Sequence, residues 1–170
     1  MCGIVGYIGT EDAREIIMNG LQRLEYRGYD SAGITLYNNN SNEFITYKDK
    51  GRVKNLEELT DFTFSTGLGI GHTRWATHGV PNQVNSHPHY SEKSRFSIVH
   101  NGVVDNYKQL MSLKLKNSTF ISDTDTEVIA HLIERYSKKM SVEEAIRKTM
   151  SLLEGSYALA IVDTEDNNKL

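Results

Sequence analysis

Met1-Cys2-Gly3-Ile4-Val5-Gly6-Tyr7-Ile8 opens the chain, and how this stretch is read decides the fold. Cys2 is the only cysteine in 170 residues. It stands directly behind the initiator methionine, and its small side chain is of the kind that methionine removal requires. Once Met1 is cleaved, one residue carries both a nucleophilic sulfur and a free α-amine. A thiol titrates near about 8.5 and an α-amine near about 7.7–8.0, so the amine can take the thiol's proton around neutrality. That is a nucleophile with its general base built in. The residues behind it alternate, with Cys2, Ile4 and Ile8 on one side and Val5 and Tyr7 on the other, which predicts a strand beginning at the nucleophile. Gly3 and Gly6 leave room for another backbone or a substrate.

A thiol on a frayed terminus would be inconsequential. Ile4-Val5 and Tyr7-Ile8 argue instead that this end is tied into a sheet. The bulk properties fit an ordinary soluble domain: 38% hydrophobic residues, 24% charged residues and a net charge of −3. This balance gives no electrostatic case for binding nucleic acid or a membrane surface. No apolar run approaches the length of a membrane span, and no leader is read before Met1. A single cysteine excludes an internal disulfide and suits a reducing compartment, so cytoplasm is expected.

Further along, Asp12 and Glu15 have capping-box spacing ahead of Ala13, Ile16, Ile17, Leu21 and Leu24. That pattern predicts an amphipathic helix over 12–25, ending near Arg27-Gly28. Residues 32–37 and 43–48 read as a hairpin across the turn Asn38-Asn39-Asn40-Ser41-Asn42. A short helical piece is expected around Leu56, Leu59 and Phe62. Gly67 to His72 reads as a glycine-rich strand; without G-x-G-x-x-G or a phosphate-holding lysine it is not a nucleotide loop. The span from Thr73 to Tyr90 is irregular but dense in chemistry, and its Trp75 beside Arg74 is of a buried type. A strand over 95–100 is expected to break at Asn101-Gly102 and resume at Val103-Val104. Tyr107, Leu110, Met111 and Leu113 suggest a helix, and Thr119-Phe120-Ile121 a short strand. Capping boxes at Thr124/Glu127 and Ser141/Glu144 open two more helices, the second stopped by Gly155. Ser156–Val162 closes as a strand apolar on both faces. Such a mixture points to stacked sheets with helices outside.

Attack on an amide needs donors for the developing oxyanion. Asn101-Gly102 offers a side-chain amide and an approachable backbone N–H. The same pair is also a strong hairpin signal, and both readings stay open. Arg74 presents a fork for a carboxylate. Asp125 suits an ammonium, or is simply an acid favoured by a helix N-terminus. Together, Arg74 and Asp125 would recognise a free α-amino acid. His87-x-His89 with His72 or His78 could ligate zinc, but H-E-x-x-H is absent and Cys2 is far along the chain, so no metal is expected.

Five stretches then occur in order: Met1 to Gly6, Glu25-Tyr26-Arg27-Gly28-Tyr29-Asp30-Ser31-Ala32-Gly33, Gly71-His72-Thr73-Arg74-Trp75-Ala76-Thr77-His78-Gly79, His100-Asn101-Gly102, and Thr124-Asp125-Thr126-Glu127. Over residues 2 to about 163 the chain resembles the glutaminase domains of the glutamine–fructose-6-phosphate aminotransferase family, among the class II glutamine amidotransferases. The wording around Arg27 and Arg74 fits this family better than the purine-pathway amidotransferases, which share the terminal cysteine and the Asn-Gly pair. The resemblance implies an α+β fold, a four-layer αββα N-terminal-nucleophile hydrolase sandwich. It implies that Cys2 attacks the side-chain amide of L-glutamine, with Asn101 and the Gly102 N–H holding the oxyanion and Arg27 positioning the nucleophile. Arg74 would bind the α-carboxylate, with Trp75, Thr77 and His78 alongside in a lid over 74–82, and Asp125 would bind the α-ammonium. No cofactor is implied. Ammonia would pass to sugar-isomerase domains converting fructose 6-phosphate to glucosamine 6-phosphate, in a homodimeric full-length enzyme.

The chain stops at Leu170, where the family's glutaminase domain continues with further strands, so 1–170 is expected to be that domain truncated at its C-terminus. A retained Met1 would turn the α-amine into an amide nitrogen, which is no base. The alternatives are an unprocessed module that only binds or dimerises, and the purine-pathway relative.

Overall fold

The computed structural model describes residues 2–60, 64–75 and 79–170. The first half builds one antiparallel sheet. Strand β1 (Gly3–Ile8) leads into helix α1 (Ala13–Leu24) and a 3-10 turn (Glu25–Arg27). Strands β2 (Ser31–Asn38) and β3 (Glu43–Lys50) form the expected hairpin, Asn38 opposite Glu43. Helix α2 (Val53–Leu59) follows, and β4 (Leu68–Arg74) inserts between β1 and β2, giving the order β1-β4-β2-β3. Phe62, expected in the helical piece, lies outside the described residues. The second half builds β5 (His89–Tyr90), β6 (Phe96–Val104) and β7 (Gly155–Asp163) into a sheet ordered β5-β6-β7. Helices α3 (Tyr107–Lys114), α4 (Asp125–Ser137) and α5 (Val142–Met150) lie between β6 and β7 in sequence.

Side-chain alternation turns these elements into four layers. Ala32, Ile34 and Leu36 of β2 face Ala13, Ile17, Leu21 and Leu56 from α1 and α2. Phe96 and Ile98 of β6 face Val128, Ile129, Leu132 and Ile133 of α4. Between the sheets lies a smaller cluster around Tyr37, Ile70, Val99 and Val162. Burying each large apolar side chain contributes about 1.5–3 kcal/mol, so the two helix–sheet cores carry most of the stability. The layer between the sheets also holds polar groups, with Thr35 and Ser97 sharing a hydrogen bond of 3.0 Å. Buried polar groups must be partnered, so this layer is specified by hydrogen bonding more than by volume. The architecture is the expected αββα sandwich.

Several local expectations give way to tertiary contacts. Asn101 and Gly102 do not break the strand. They lie inside β6, opposite Ala158 and Tyr157 of β7. Residues 119–121 form no strand; Ile121 is 81% exposed, and its amide turns to the Glu127 carboxylate. Glu127 therefore makes no capping box with Thr124, whose side chain does not cap α4. Asp12 caps α1 by taking the Arg14 N–H, while Ser141 and Glu144 form the full reciprocal box on α5. Helix α5 ends at Met150, and Gly155 instead starts β7.

Candidate active site

Gly3 pairs with Thr73, which brings Cys2 beside the end of β4. The Trp75 N–H donates to Cys2 Sγ at 3.2 Å, and the sulfur lies 3.5 Å from the Trp75 carbonyl oxygen. The contact is therefore with the Trp75 backbone. Trp75 as a residue is 51% exposed, contrary to the buried type expected. Arg74-Trp75 is braced from behind by the 3-10 turn. A Cβ at Gly28 would stand 3.0 Å from Trp75 N and 3.1 Å from Arg74 C, so a larger residue would press the Arg74–Trp75 backbone back by a few tenths of an ångström. The Asp30 N–H donates to the Arg74 carbonyl at 3.0 Å. Arg27 occupies that bracing turn, half-buried, and does not line the pocket described below.

The second sheet supplies the opposite wall. Asn101 Nδ2 donates to the Cys2 carbonyl at 3.1 Å, across 99 residues of sequence. Gly102 has φ +139, and a side chain there would overlap the Ser156 carbonyl oxygen on β7. Glycine is required at this point because its positive φ and the closeness of β7 both exclude a side chain. Asp125, the first residue of α4, accepts the Val104 N–H through Oδ2 at 2.7 Å. No described residue hydrogen-bonds its Oδ1.

Cys2, Arg74, Trp75, Gly102 and Asp125 line one pocket of about 10 Å3, room for about one water molecule. Thr77 and His78 lie outside the described residues. Arg74 is buried, and burial lowers its pKa from the ordinary guanidinium value; Cys2, Asp30 and Asp125 nearby act in the opposite sense. A guanidinium stays charged throughout the working pH range, so the pocket holds a fixed cation and a carboxylate on opposite walls beside a thiol. These charges complement in sign the carboxylate and ammonium of an α-amino acid, which the pocket would have to widen to admit.

In and behind the pocket stand histidines that spacing alone offers only as metal ligands or loop groups. His72 Nε2 lies 2.9 Å from Asn101 Oδ1 and 3.0 Å from the His100 carbonyl oxygen. His72 and His87 stack at 4.1 Å between ring centres, and His89 meets His87 edge-on at 4.7 Å. Burial pulls His72 down to about 3, and pushes His87 and His89 well below their ordinary range. The His100 ring meets Thr126 Oγ1 at 2.9 Å. His87, His100, Thr124 and Thr126 also line the pocket. Among the described residues no group of three or more acidic, histidine or cysteine side chains is arranged to hold a metal ion. The histidines come from three strands, β4, β5 and β6, and the loop before β5; His72 joins the other three only when the sheets dock, so no local spacing could reveal all four as one group.

The model of the glutamine amidotransferase domain matches residues 58–170. Glutamine–fructose-6-phosphate aminotransferase [isomerizing] of Bacillus cereus is 54% identical over 171 aligned residues, covering 100% of this chain and 28% of its own length. The enzyme of the same name from Halalkalibacterium halodurans is 56% identical with the same coverage. Among solved structures, the glutamine phosphoribosylpyrophosphate amidotransferase from B. subtilis, complexed with ADP and GMP, superposes with a TM-score of 0.81 at 30% identity, over 96% of this chain and 35% of that one. The chain thus spans 28% of the length of the curated relatives it matches.

Proposed function

The chain belongs to the glutamine amidotransferase domain family, and from that premise we propose that it hydrolyses the side-chain amide of L-glutamine with Cys2 as nucleophile. Removal of Met1 frees the Cys2 amine, which takes the thiol proton. The sulfur bonds to the carboxamide carbon and the carbonyl π electrons move to oxygen. The tetrahedral oxyanion accepts hydrogen bonds from Asn101 Nδ2 and the Gly102 N–H. As it collapses, the C–N bond breaks and the amine's proton leaves with ammonia. A γ-glutamyl thioester remains; water attacks it while giving a proton to the Cys2 amine, the C–S bond breaks, the thiolate takes that proton back, and glutamate departs. Arg74 holds the α-carboxylate and Asp125 the α-ammonium. Trp75, Thr77 and His78 cover the substrate, and Arg27 steadies the terminal cysteine.

One observation carries this reading: Cys2, Gly102, Arg74 and Asp125 line a single pocket although they come from distant parts of the chain. In this reading residues 1–170 act as a glutaminase domain. The ammonia is used to aminate fructose 6-phosphate, giving glucosamine 6-phosphate through further domains in a cytoplasmic homodimer. The acceptor is argued from the 54% identity to the fructose-6-phosphate enzymes, against 30% to the phosphoribosylpyrophosphate one. Among the described residues no helix is long and apolar enough to cross a membrane.

The test is covalent trapping. Processed protein is incubated with a glutamine analogue carrying an electrophilic carbon in place of the carboxamide. A single adduct located on Cys2, with loss of glutamate release, is expected. Glutamate release surviving full modification of Cys2 would overturn the assignment.

A further inference from the structure

We propose that His72 is a positioning residue: it holds the carboxamide of Asn101 so that Nδ2, rather than Oδ1, faces Cys2. The orientation itself follows from hydrogen-bond chemistry; the glutaminase reading is needed only for what the oriented amide then does.

Two backbone carbonyls fix the argument. The His100 carbonyl oxygen lies 3.0 Å from His72 Nε2 and can only accept, so Nε2 must carry a hydrogen. The same nitrogen lies 2.9 Å from the Asn101 side chain, which must therefore present its oxygen there. At the other end of the amide, the Cys2 carbonyl oxygen also only accepts, so Asn101 must present nitrogen, 3.1 Å away. Turned over, the amide would set N–H against N–H at one end and oxygen against oxygen at the other. Both hydrogen bonds would be lost in a part-buried place, where orphaned polar groups are costly.

The imidazole is fixed in turn. His72 is 0% exposed. Buried among His87, His100 and Arg74 it is neutral and carries a single ring hydrogen. Its Nδ1 is buried with no hydrogen-bond partner among the described residues, which suits a bare lone pair and not an N–H. His87 stacks on the ring, the planes 24° apart, and is itself anchored where its Nδ1 accepts the His100 N–H at 3.3 Å. The chain from His87 through His72 to Asn101 thus ends in one Nδ2 hydrogen bonded to Cys2 O. No described residue takes the other hydrogen, which is available to an oxyanion beside the sulfur.

Nitrogen NMR on the processed full chain tests this in two ways. In the wild type, long-range ring correlations of His72 should give the Nε2–H tautomer; a Nδ1–H tautomer overturns the proposal without any substitution. His72→Phe keeps the ring's size and removes the donor, and His72→Gln returns a donor. In folded His72→Phe, solvent exchange of the Asn101 side-chain amide should quicken at least about tenfold, and kcat for glutamine should fall about tenfold to hundredfold with KM changed less than about threefold, comparable to losing an oxyanion donor. His72→Gln should recover most of that loss. Unchanged Asn101 amide exchange in His72→Phe overturns the proposal. Should His72→Phe not fold, the wild-type tautomer and the kcat of His72→Gln decide: Nε2–H with near-normal kcat supports, Nδ1–H overturns. Released amide exchange in a protein that never forms glutamate would sustain the positioning role and sink the glutaminase reading instead.

Discussion

The backbone N–H of Trp75 points at the sulfur of Cys2 across 3.2 Å, joining residues 73 positions apart in sequence. The sulfur of the proposed nucleophile is thereby seated by the Trp75 main chain. Cys2→Ala removes the sulfur without entering either helix–sheet core. Substitutions away from core and network features usually fall within about 0.5 kcal/mol, or about 1–2 °C in Tm for a chain of this size. Glutamate release should vanish while Tm holds to that extent, measured by coupled assay and calorimetry.

Retention of Met1 should silence the same site with Cys2 intact, because the Cys2 nitrogen is then an amide and cannot take the thiol proton. Intact-mass spectrometry sorts the two species. Turnover should scale with the fraction lacking Met1, and turnover by a fully Met1-bearing sample would contradict the role given to the amine.

Arg74, at the end of β4, and Asp125, at the start of α4, line the same pocket, and their substitutions should separate binding from chemistry. Arg74→Lys keeps the charge but loses the planar fork, so KM for glutamine should rise about tenfold or more, with a smaller change in kcat. Equal kinetics for the arginine and lysine forms would remove the carboxylate contact from the scheme.

For Asp125 two substitutions are informative because one oxygen is structural. Asp125→Asn can still accept the Val104 N–H, so the fold should persist while the lost charge raises KM about ten- to hundredfold. Asp125→Ala also orphans that buried N–H and should cost about 1–3 kcal/mol of stability in urea unfolding. Identical stabilities for the two variants would show that the Val104 contact is not holding α4 to β6.

Acid should weaken the protein through its buried histidines. His72 titrates near 3 in the folded chain, and His87 and His89 are likewise depressed by burial, against about 6.5 when unfolded. The unfolded chain therefore binds more protons below about pH 6.5, so their stabilising effect is full above that pH and is lost progressively toward about pH 3. Each such histidine contributes up to about 1.4 kcal/mol per pH unit in that window. Calorimetry from pH 7 to 4 should show a steep fall in stability, and His72→Gln should flatten it by about one proton.

What could be read before any coordinates was mainly what is local. The apolar spacing of α1, α4 and α5 and the asparagine turn between β2 and β3 reflect contacts within a few residues, and they match the folded chain. Asn101-Gly102 misled because a dipeptide's preference for a tight turn is weaker than nine residues of ladder to β7, a partner more than fifty positions away. Thr124 and Glu127 had the spacing of a capping box, but the amides of Ile121 and Ser122 claim the Glu127 carboxylate first. Cys2, Arg74 and Asp125 stood out by residue type and by resemblance. The histidine group around them did not, since only the docking of two sheets brings His72 to His87 and His100.

The pocket draws on residue 2, on the end of β4, on β6 and on the first turn of α4. During synthesis, then, the sulfur emerges from the ribosome long before anything that could set it to work. A nascent chain shorter than Asp125 carries the thiol without the carboxylate that lines the same pocket. The pocket is complete only once the two halves of the sandwich have closed on each other.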